Sequence, residues 1–287
     1  MPTPRSGRSG LSAAAELVRR HDRDRFQTAL FAPAREREGL FALYAFNYEV
    51  ARVREIVREP ILGHIRLQWW REVVAAAFEG ETPRRHEIVL SLTRAIREFG
   101  LSRPPFDRLI ESREDDLKSE PPETMTGLEA YAEGSSASLV LLALEVLGEP
   151  SAAVQQAGRA VGIGYALAGL IRAMPFHAAG GRSYIPADLA ARHGLDPADY
   201  RSRRTTARLR AAIAVIAAAA GMQFAEARKC RGATARQMLP ALLPAVVADR
   251  FLRRLERVGY DPFDARLSRP DTMQSWRLAI AAWRGHY

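Results

Sequence analysis

Cysteine is the scarcest residue here: Cys230 is the only one in 287 positions. Its isolation excludes an intramolecular disulfide and any cysteine-rich zinc site, and suits a reducing compartment. Alternating runs of the strand type are scarce, which argues against a sheet-based fold. Zinc-finger spacing and the strand pattern of an RNA-binding sheet are both missing. The longest uncharged runs, such as Ala211 to Ala225, fall short of the ~20 apolar residues of a membrane-spanning helix. The opening MPTPRSGRSGLSAAAELVRRHDRDRF lacks the apolar core of a secretory signal. Its Arg, Ser and Ala content is like that of a transit peptide. However, the helical spacing of Leu11, Ala14, Ala15 and Val18 begins almost at once, so only residues 1–10 read as a short extension. With no internal repeat and no low-complexity linker, residues 11–287 read as a single domain.

What the chain has in excess is positive charge, +9 from 42 Lys and Arg against 33 Asp and Glu. Such a balance invites an acidic partner, whether anionic lipid, a diphosphate or an acidic protein surface. The arginines are nevertheless spread along the whole chain among acids, as on a solvated surface, and no nucleic-acid partner is expected.

Apolar residues recur at spacings of three and four almost throughout, which predicts an all-α chain of about ten helices. Pro33 opens a helix through Leu40, Leu43, Tyr44, Phe46, Tyr48 and Val50, and Pro60 ends it and starts the next, which stops at Gly80. Further helices are expected over 84–99, 104–118, 127–147, 152–176, 202–230, 234–258 and 270–284. Thr126 with Glu129 has the form of a capping box, and Pro240 and Pro244 predict a kink. The segments SLVLLALEVLG and AVGIGYALAGLI are apolar nearly all round, so they belong in the middle of a bundle.

The order and spacing of FAPAREREGLFALYAFNYEVARVRE, RLQWWREVVAAAFEG, ESREDDL, LEAYAEGSSASLVLLALEVLG and GRSYIP resemble the squalene and phytoene synthase family over roughly residues 11–287. The resemblance implies an isoprenoid synthase fold, a helical bundle around a central cavity. Active members join two prenyl diphosphates head to head on magnesium held by aspartate-rich motifs on facing helices. That chemistry needs carboxylates, because Mg²⁺ is a hard cation that takes oxygen ligands.

Aligned on Leu43 to Phe46, the aspartate positions of the first motif fall on Ala51, Arg52 and Glu55. Aligned backward from GRSYIP, those of the second fall on Ala173 and His177, with Pro175 between them. Both metal motifs are therefore expected to be degenerate, with no metal bound and no catalytic residue. Arg172, Ala173, Pro175, Phe176 and His177, together with Asn47, Glu49, Ala51, Val53 and Arg54, are more similar to a non-catalytic branch of the family that serves in assembly of respiratory complex I. This narrower resemblance implies complex I subunits or assembly intermediates as partners, at the surface of the inner membrane. The location is then cytoplasmic, or the mitochondrial matrix in a eukaryote. Two alternatives stand beside it: a protein holding lipid or isoprenoid in the cavity, and a working transferase with a magnesium site rebuilt from Glu49, Glu55 or Asp115.

Arg172 and Arg182 flank AMPFHAAGG, whose glycines allow close backbone approach, so Arg172, His177, Arg182, Tyr184 and Arg52 are the candidate anion-binding residues. The plainer reading of His177 is a hydrogen-bonded histidine at a helix end. Trp69 and Trp70 are adjacent on a helix and read as core packing, whereas Trp276 and Trp283 share one face and suit either docking or a core stripe. ESREDDLKSE reads as a solvated helix end.

Overall fold

A computed structural model describes residues 10–57 and 59–287; the expected extension over residues 1–10, Gly10 apart, lies outside them. The described residues contain helices and turns and no strand. In chain order the helices are α1 (Ala13–His21), α2 (Arg23–Ala29), α3 (Ala34–Ala51), α4 (Val53–Ile56), α5 (Pro60–Phe78), α6 (Glu87–Phe99) and α7 (Pro104–Ser112). A 3₁₀ turn, Asp115–Leu117, leads to α8 (Met125–Ala132), which runs through a π turn, Glu133–Ala137, into α9 (Ser138–Leu147). Then come α10 (Ala152–Arg172), α11 (Met174–Ala179), α12 (Ala187–Arg192), α13 (Pro197–Arg201), α14 (Ala207–Lys229), α15 (Leu239–Leu242), α16 (Pro244–Arg257) and α17 (Gln274–Arg284).

The helices without a polar stripe take the centre, as their composition requires. α3 is buried from Gly39 to Asn47 without a break, and α9 and α10 lie against it or against each other with α14 alongside α10. Helices with a clear polar face, such as α6 and α16, bury one side only through Ile88, Leu92 and Ile96 or through Val247, Phe251 and Leu255. Met125–Leu147 and Ala207–Lys229 turn out long and apolar enough to cross a membrane by length and composition, which the uncharged runs alone did not suggest. Met125–Leu147 is largely buried among its neighbours, and Ala207–Lys229 lies along α10.

Several expected helices are divided, and each division has a local cause. The helix from Pro33 breaks at Arg52, whose N–H is shared between the Tyr48 and Val50 carbonyls, so α4 starts on a new axis. The expected 152–176 helix ends at Arg172, because Pro175 cannot donate into it; Pro175 sits in the first turn of α11 instead. Pro240 and Pro244 act alike, opening α15 and α16. The cap expected at Thr126 belongs to Thr124, whose Oγ1 accepts from the Gly127 N–H at 3.1 Å; with glycine at the third helical position, no side chain closes a capping box. α12 and α13 carry no long apolar period and were not expected.

Glycine fixes one close approach. A Cβ on Gly162 of α10 would lie 2.3 Å from the Ala137 Cα in the π turn, a backbone atom that cannot move aside. Gly162→Ala should therefore lower stability by about 1–3 kcal/mol. By contrast Gly221→Ala, in α14 with nothing within 4 Å of the added Cβ, should raise it by about 0.4–1 kcal/mol. Thermal midpoints of the two variants moving in opposite directions would bear this out; a Gly162→Ala protein as stable as the parent would contradict it.

Candidate functional site

The polar centre of the molecule is built on Asp116, a residue expected to lie on a solvated helix end and found 5% exposed. Its 3₁₀ turn follows α7 after two residues, and Leu117 beside it packs into the core against Gly63. Asp115, one position earlier, faces outward and pairs with Lys118 at 2.7 Å.

Four side chains meet the buried carboxylate. Tyr131 from the end of α8 donates its hydroxyl to Oδ1 at 2.9 Å, and Tyr184, from the loop after α11, does so at 2.6 Å. Arg113 approaches Oδ2 at 3.3 Å, and Arg182 approaches Oδ1 at 3.5 Å while donating to the backbone carbonyls of Asp115 and Asp116. Arg113 also donates to the Tyr131 hydroxyl at 3.0 Å and to Asn47 Oδ1 on α3 at 3.4 Å, so the network spans the bundle. Both tyrosines titrate well above their ordinary range, first because they are buried and next because of neighbouring acidic groups, so they act as donors. Burial opposes the charge of Arg113, but Tyr131 and Asp116 outweigh it and keep the guanidinium charged.

His177 lies beside this network on α11, its ring edge-on to Tyr184 at 4.8 Å between centroids. Burial, with the nearby Arg182 charge second, pushes the imidazole down to about 4, so the ring is neutral at physiological pH. No side-chain hydrogen bond to it is found among the described residues; the expected hydrogen-bonded histidine is a packed one.

The structure does not gather the five anion-binding candidates around one point. Arg182, Tyr184 and His177 share the Asp116 cluster, where the anion is the chain's own carboxylate. Arg172 instead pairs with Asp24 of α2 at 2.7 Å, and Asp24 also accepts from Gln274 at 2.9 Å. Burial works against the charge of Asp24, and Arg172 outweighs it and holds the carboxyl below its usual range. Arg52 pairs with Glu49 at 3.4 Å and lies over the Tyr48 ring. Ala51 and Ala173 occupy the two helix breaks half-buried, and Glu55 is exposed on α4. Asp116, Arg113, Tyr131 and Asn47 were not singled out as a cluster from the sequence. The signal available for them was weak, an acidic pair closed by a leucine that must go inward.

Comparison with known proteins places these features. The family model described as squalene/phytoene synthase matches residues 18–284. NADH dehydrogenase (ubiquinone) complex I, assembly factor 6, of Bos taurus is 28% identical over 285 residues, covering 97% of this chain and 85% of that protein. A presqualene diphosphate synthase of Rhodopseudomonas palustris is 26% identical over 211 residues, 73% of this chain and 74% of its own. A crystal structure of a dehydrosqualene synthase in complex with ligand superposes with a TM-score of 0.83 at 18% identity over 94% of both chains, which shows the shared fold.

Two outcomes follow from the cluster. Asp116→Asn leaves two inward guanidiniums without their carboxylate and should cost about 3–5 kcal/mol, read by denaturant unfolding; a loss below about 1 kcal/mol would mean that the network does not hold the fold. For His177 the unfolded ring titrates near 6.5 and the folded one at about 4. The neutral ring's contribution is therefore whole above pH 6.5 and is lost as the pH falls from there through about 4. Partial exposure reduces that contribution to on the order of 1–2 kcal/mol. Thermal scans across this window should fall more steeply for the parent than for His177→Gln, and parallel curves would refute the assignment.

Proposed function

The chain belongs to the squalene/phytoene synthase family, and from that premise we propose that it is a non-enzymatic factor in the assembly of respiratory complex I, working at a membrane surface. The observation that carries this reading is what stands where the family holds magnesium. Ala51 and Ala173 offer no ligand atom, and Arg52 sets a fixed cation, already paired with Glu49, where a metal would need an oxygen. His177 supplies a nitrogen in a ring turned against Tyr184 rather than an ionised oxygen. The residues present do not fit Mg²⁺, and among the described residues no three His, Cys, Asp or Glu side chains come together in a metal-holding group. Of the acids from which a site might be rebuilt, Glu49 and Asp115 are engaged with Arg52 and Lys118, and Glu55 is exposed on α4. The similarity to the bovine assembly factor over nearly the whole chain supports the assembly role, with complex I subunits or intermediates as partners.

The membrane part of the reading rests on α17. Met273, just before it, and Trp276, Ile280 and Trp283 on it form one stripe, with the two tryptophans 66% and 73% exposed. The core stripe that their spacing allowed is thus excluded. Beside the stripe, a groove of about 570 Å³ is lined by Phe26, Leu30 and Phe31 together with Arg23 and with Arg19 and Arg20, which share Glu16 of the same groove. Gln27 ties the two faces together through Ser275 at 3.2 Å and Gln274 at 2.8 Å. Apolar and aromatic side chains framed by arginines match an anionic bilayer, where each cation near the surface adds ~1 kcal/mol of attraction. The corresponding location is the inner face of the membrane that carries complex I: cytoplasmic in a bacterium, matrix in a eukaryote.

Deleting the gene should abolish assembled complex I on blue-native gels while leaving the isoprenoid profile unaltered. Reintroduced Trp276→Ser/Trp283→Ser protein should shift from membrane to soluble fractions and restore assembly only in part. Robust metal-dependent turnover of farnesyl or geranylgeranyl diphosphate by the purified chain would overturn the reading.

A further inference from the structure

A cavity of about 270 Å³ lies between α12, α13 and the start of α14, and its walls include Ile185, Leu195, Tyr200 and Leu209. Tyr200 is buried, and its hydroxyl has no hydrogen bond among the described residues. Burial raises the phenol above its ordinary range, so it stays protonated and able to donate. Asp196, the one acid on the lining, caps α13 by accepting from the Ala198 N–H at 2.7 Å. Arg201 lines the same cavity and begins a basic stretch, with five arginines and no acid over residues 200–210. All five are exposed. Arg208 donates to the Gly194 carbonyl at 2.9 Å, and Arg210 stands 3.8 Å from Asp261. The Arg201 side chain meets only the Pro197 carbonyl, at 3.3 Å, and the side chains of Arg203 and Arg204 have neither hydrogen bond nor ion pair among the described residues.

Arg203 is also held at φ +54° where α13 ends, its N–H on the Tyr200 carbonyl at 3.1 Å, a helix-end conformation that favours glycine. No contact of its side chain among the described residues accounts for an arginine there. We propose that this face docks an acidic segment of a partner protein, with one apolar side chain of that segment in the cavity and its carboxylates on Arg201, Arg203 and Arg204. Size and charge select this occupant. At about 270 Å³ the cavity is smaller than the roughly 300–1,000 Å³ of sites that enclose a whole organic ligand, so it suits a single large side chain and is too small for a lipid chain. Several spaced guanidiniums exceed what the one carboxylate of a small amphiphile engages, and they match a run of acids along a polypeptide. An apolar anchor set in a pocket concentrates binding energy at protein interfaces, and charges around it supply steering and specificity. Tyr200 offers its hydroxyl to a main-chain carbonyl of the segment. The site gives the assembly role a partner chemistry and rests on that reading only for the partner's identity. Binding to the purified chain succeeds or fails whether or not complex I is the client.

The test titrates the full chain, by fluorescence anisotropy, with a labelled peptide that carries one phenylalanine between runs of glutamate. In two control peptides alanine replaces the phenylalanine or lysine replaces the glutamates. The expected result is saturable binding of the first peptide only, weakened by added salt and about tenfold weaker in Arg204→Gln. Ala190→Leu, which fills the cavity from α12, should weaken it as much with every arginine in place. Arg203→Gly should weaken binding while its thermal midpoint stays at or above the parent's, so affinity lost there is not lost fold. Arg94→Gln, on distant α6, should bind like the parent. Binding that ignores the phenylalanine or Ala190→Leu would reduce the site to a diffuse basic surface and overturn the proposal. Saturable binding of decanoate in place of the peptide would assign a small amphiphile and do the same, as would no peptide binding or binding equal in parent and variants.

Discussion

A carboxylate buried as deeply as Asp116 is tolerated only while its charge is met on several sides, since an unpaired ion in the interior costs several kcal/mol. That requirement places the elements around it. The π turn after α8 lets Tyr131 face Asp116 while Ser135 Oγ donates back to the Tyr131 carbonyl at 2.7 Å, and Gly134 admits Ser112, whose Cβ a side chain there would meet at 2.8 Å. Beyond α11 the left-handed Gly181 turns the chain so that Arg182, its own N–H bonded to the His177 carbonyl at 2.9 Å, reaches the carboxylate. Loop, turn and two helices are thus positioned by one charge.

The same solution recurs at the other helix ends. Asp22 caps α2 and holds the buried Arg25, which lies over Tyr165 at 4.7 Å and near Tyr44 at 5.7 Å. Asp24 holds Arg172 where α10 ends. In a metal-dependent transferase, carboxylates must stay open toward the cavity to share cations with an incoming diphosphate. Here Asp24, Glu49 and Asp116 are each paired with arginines of the same chain, Arg172, Arg52, and Arg113 with Arg182.

How far the sequence revealed this follows from the range of each signal. Periodicity is local, and it placed α5 and α6 well because each buries a face through residues three and four apart. Proline is equally local, and Pro175, Pro240 and Pro244 all mark real breaks. The break at Arg52 carries no such mark. Thr124 and Thr126 are both plausible caps, and only the entry angle of the chain decides between them. Pairings across the bundle were not legible. Arg113 and Asn47 are 66 residues apart, Asp24 and Arg172 are 148 apart, and nothing in their neighbourhoods announces the partner. Asp116 was missed for the same reason: its neighbours describe a solvated helix end, and its burial is decided by Tyr184, 68 residues later.

The distribution of the excess charge separates the two ends of the molecule. A net +9 spread evenly would say little beyond solubility. Around Asp116, Arg113 and Arg182 share one carboxylate, and Arg25 is held by Asp22. Near α16 and α17, Arg172 pairs with Asp24 while Arg250 and Arg277 share Asp271, beside the tryptophans that stand furthest into solvent. Packing does not call for the exposed tryptophans, since Trp276 and Trp283 bury little against their own chain. Under the proposed membrane role their value comes from an apolar layer outside the chain, and α17 rather than the closed polar centre at Asp116 is the face that meets it.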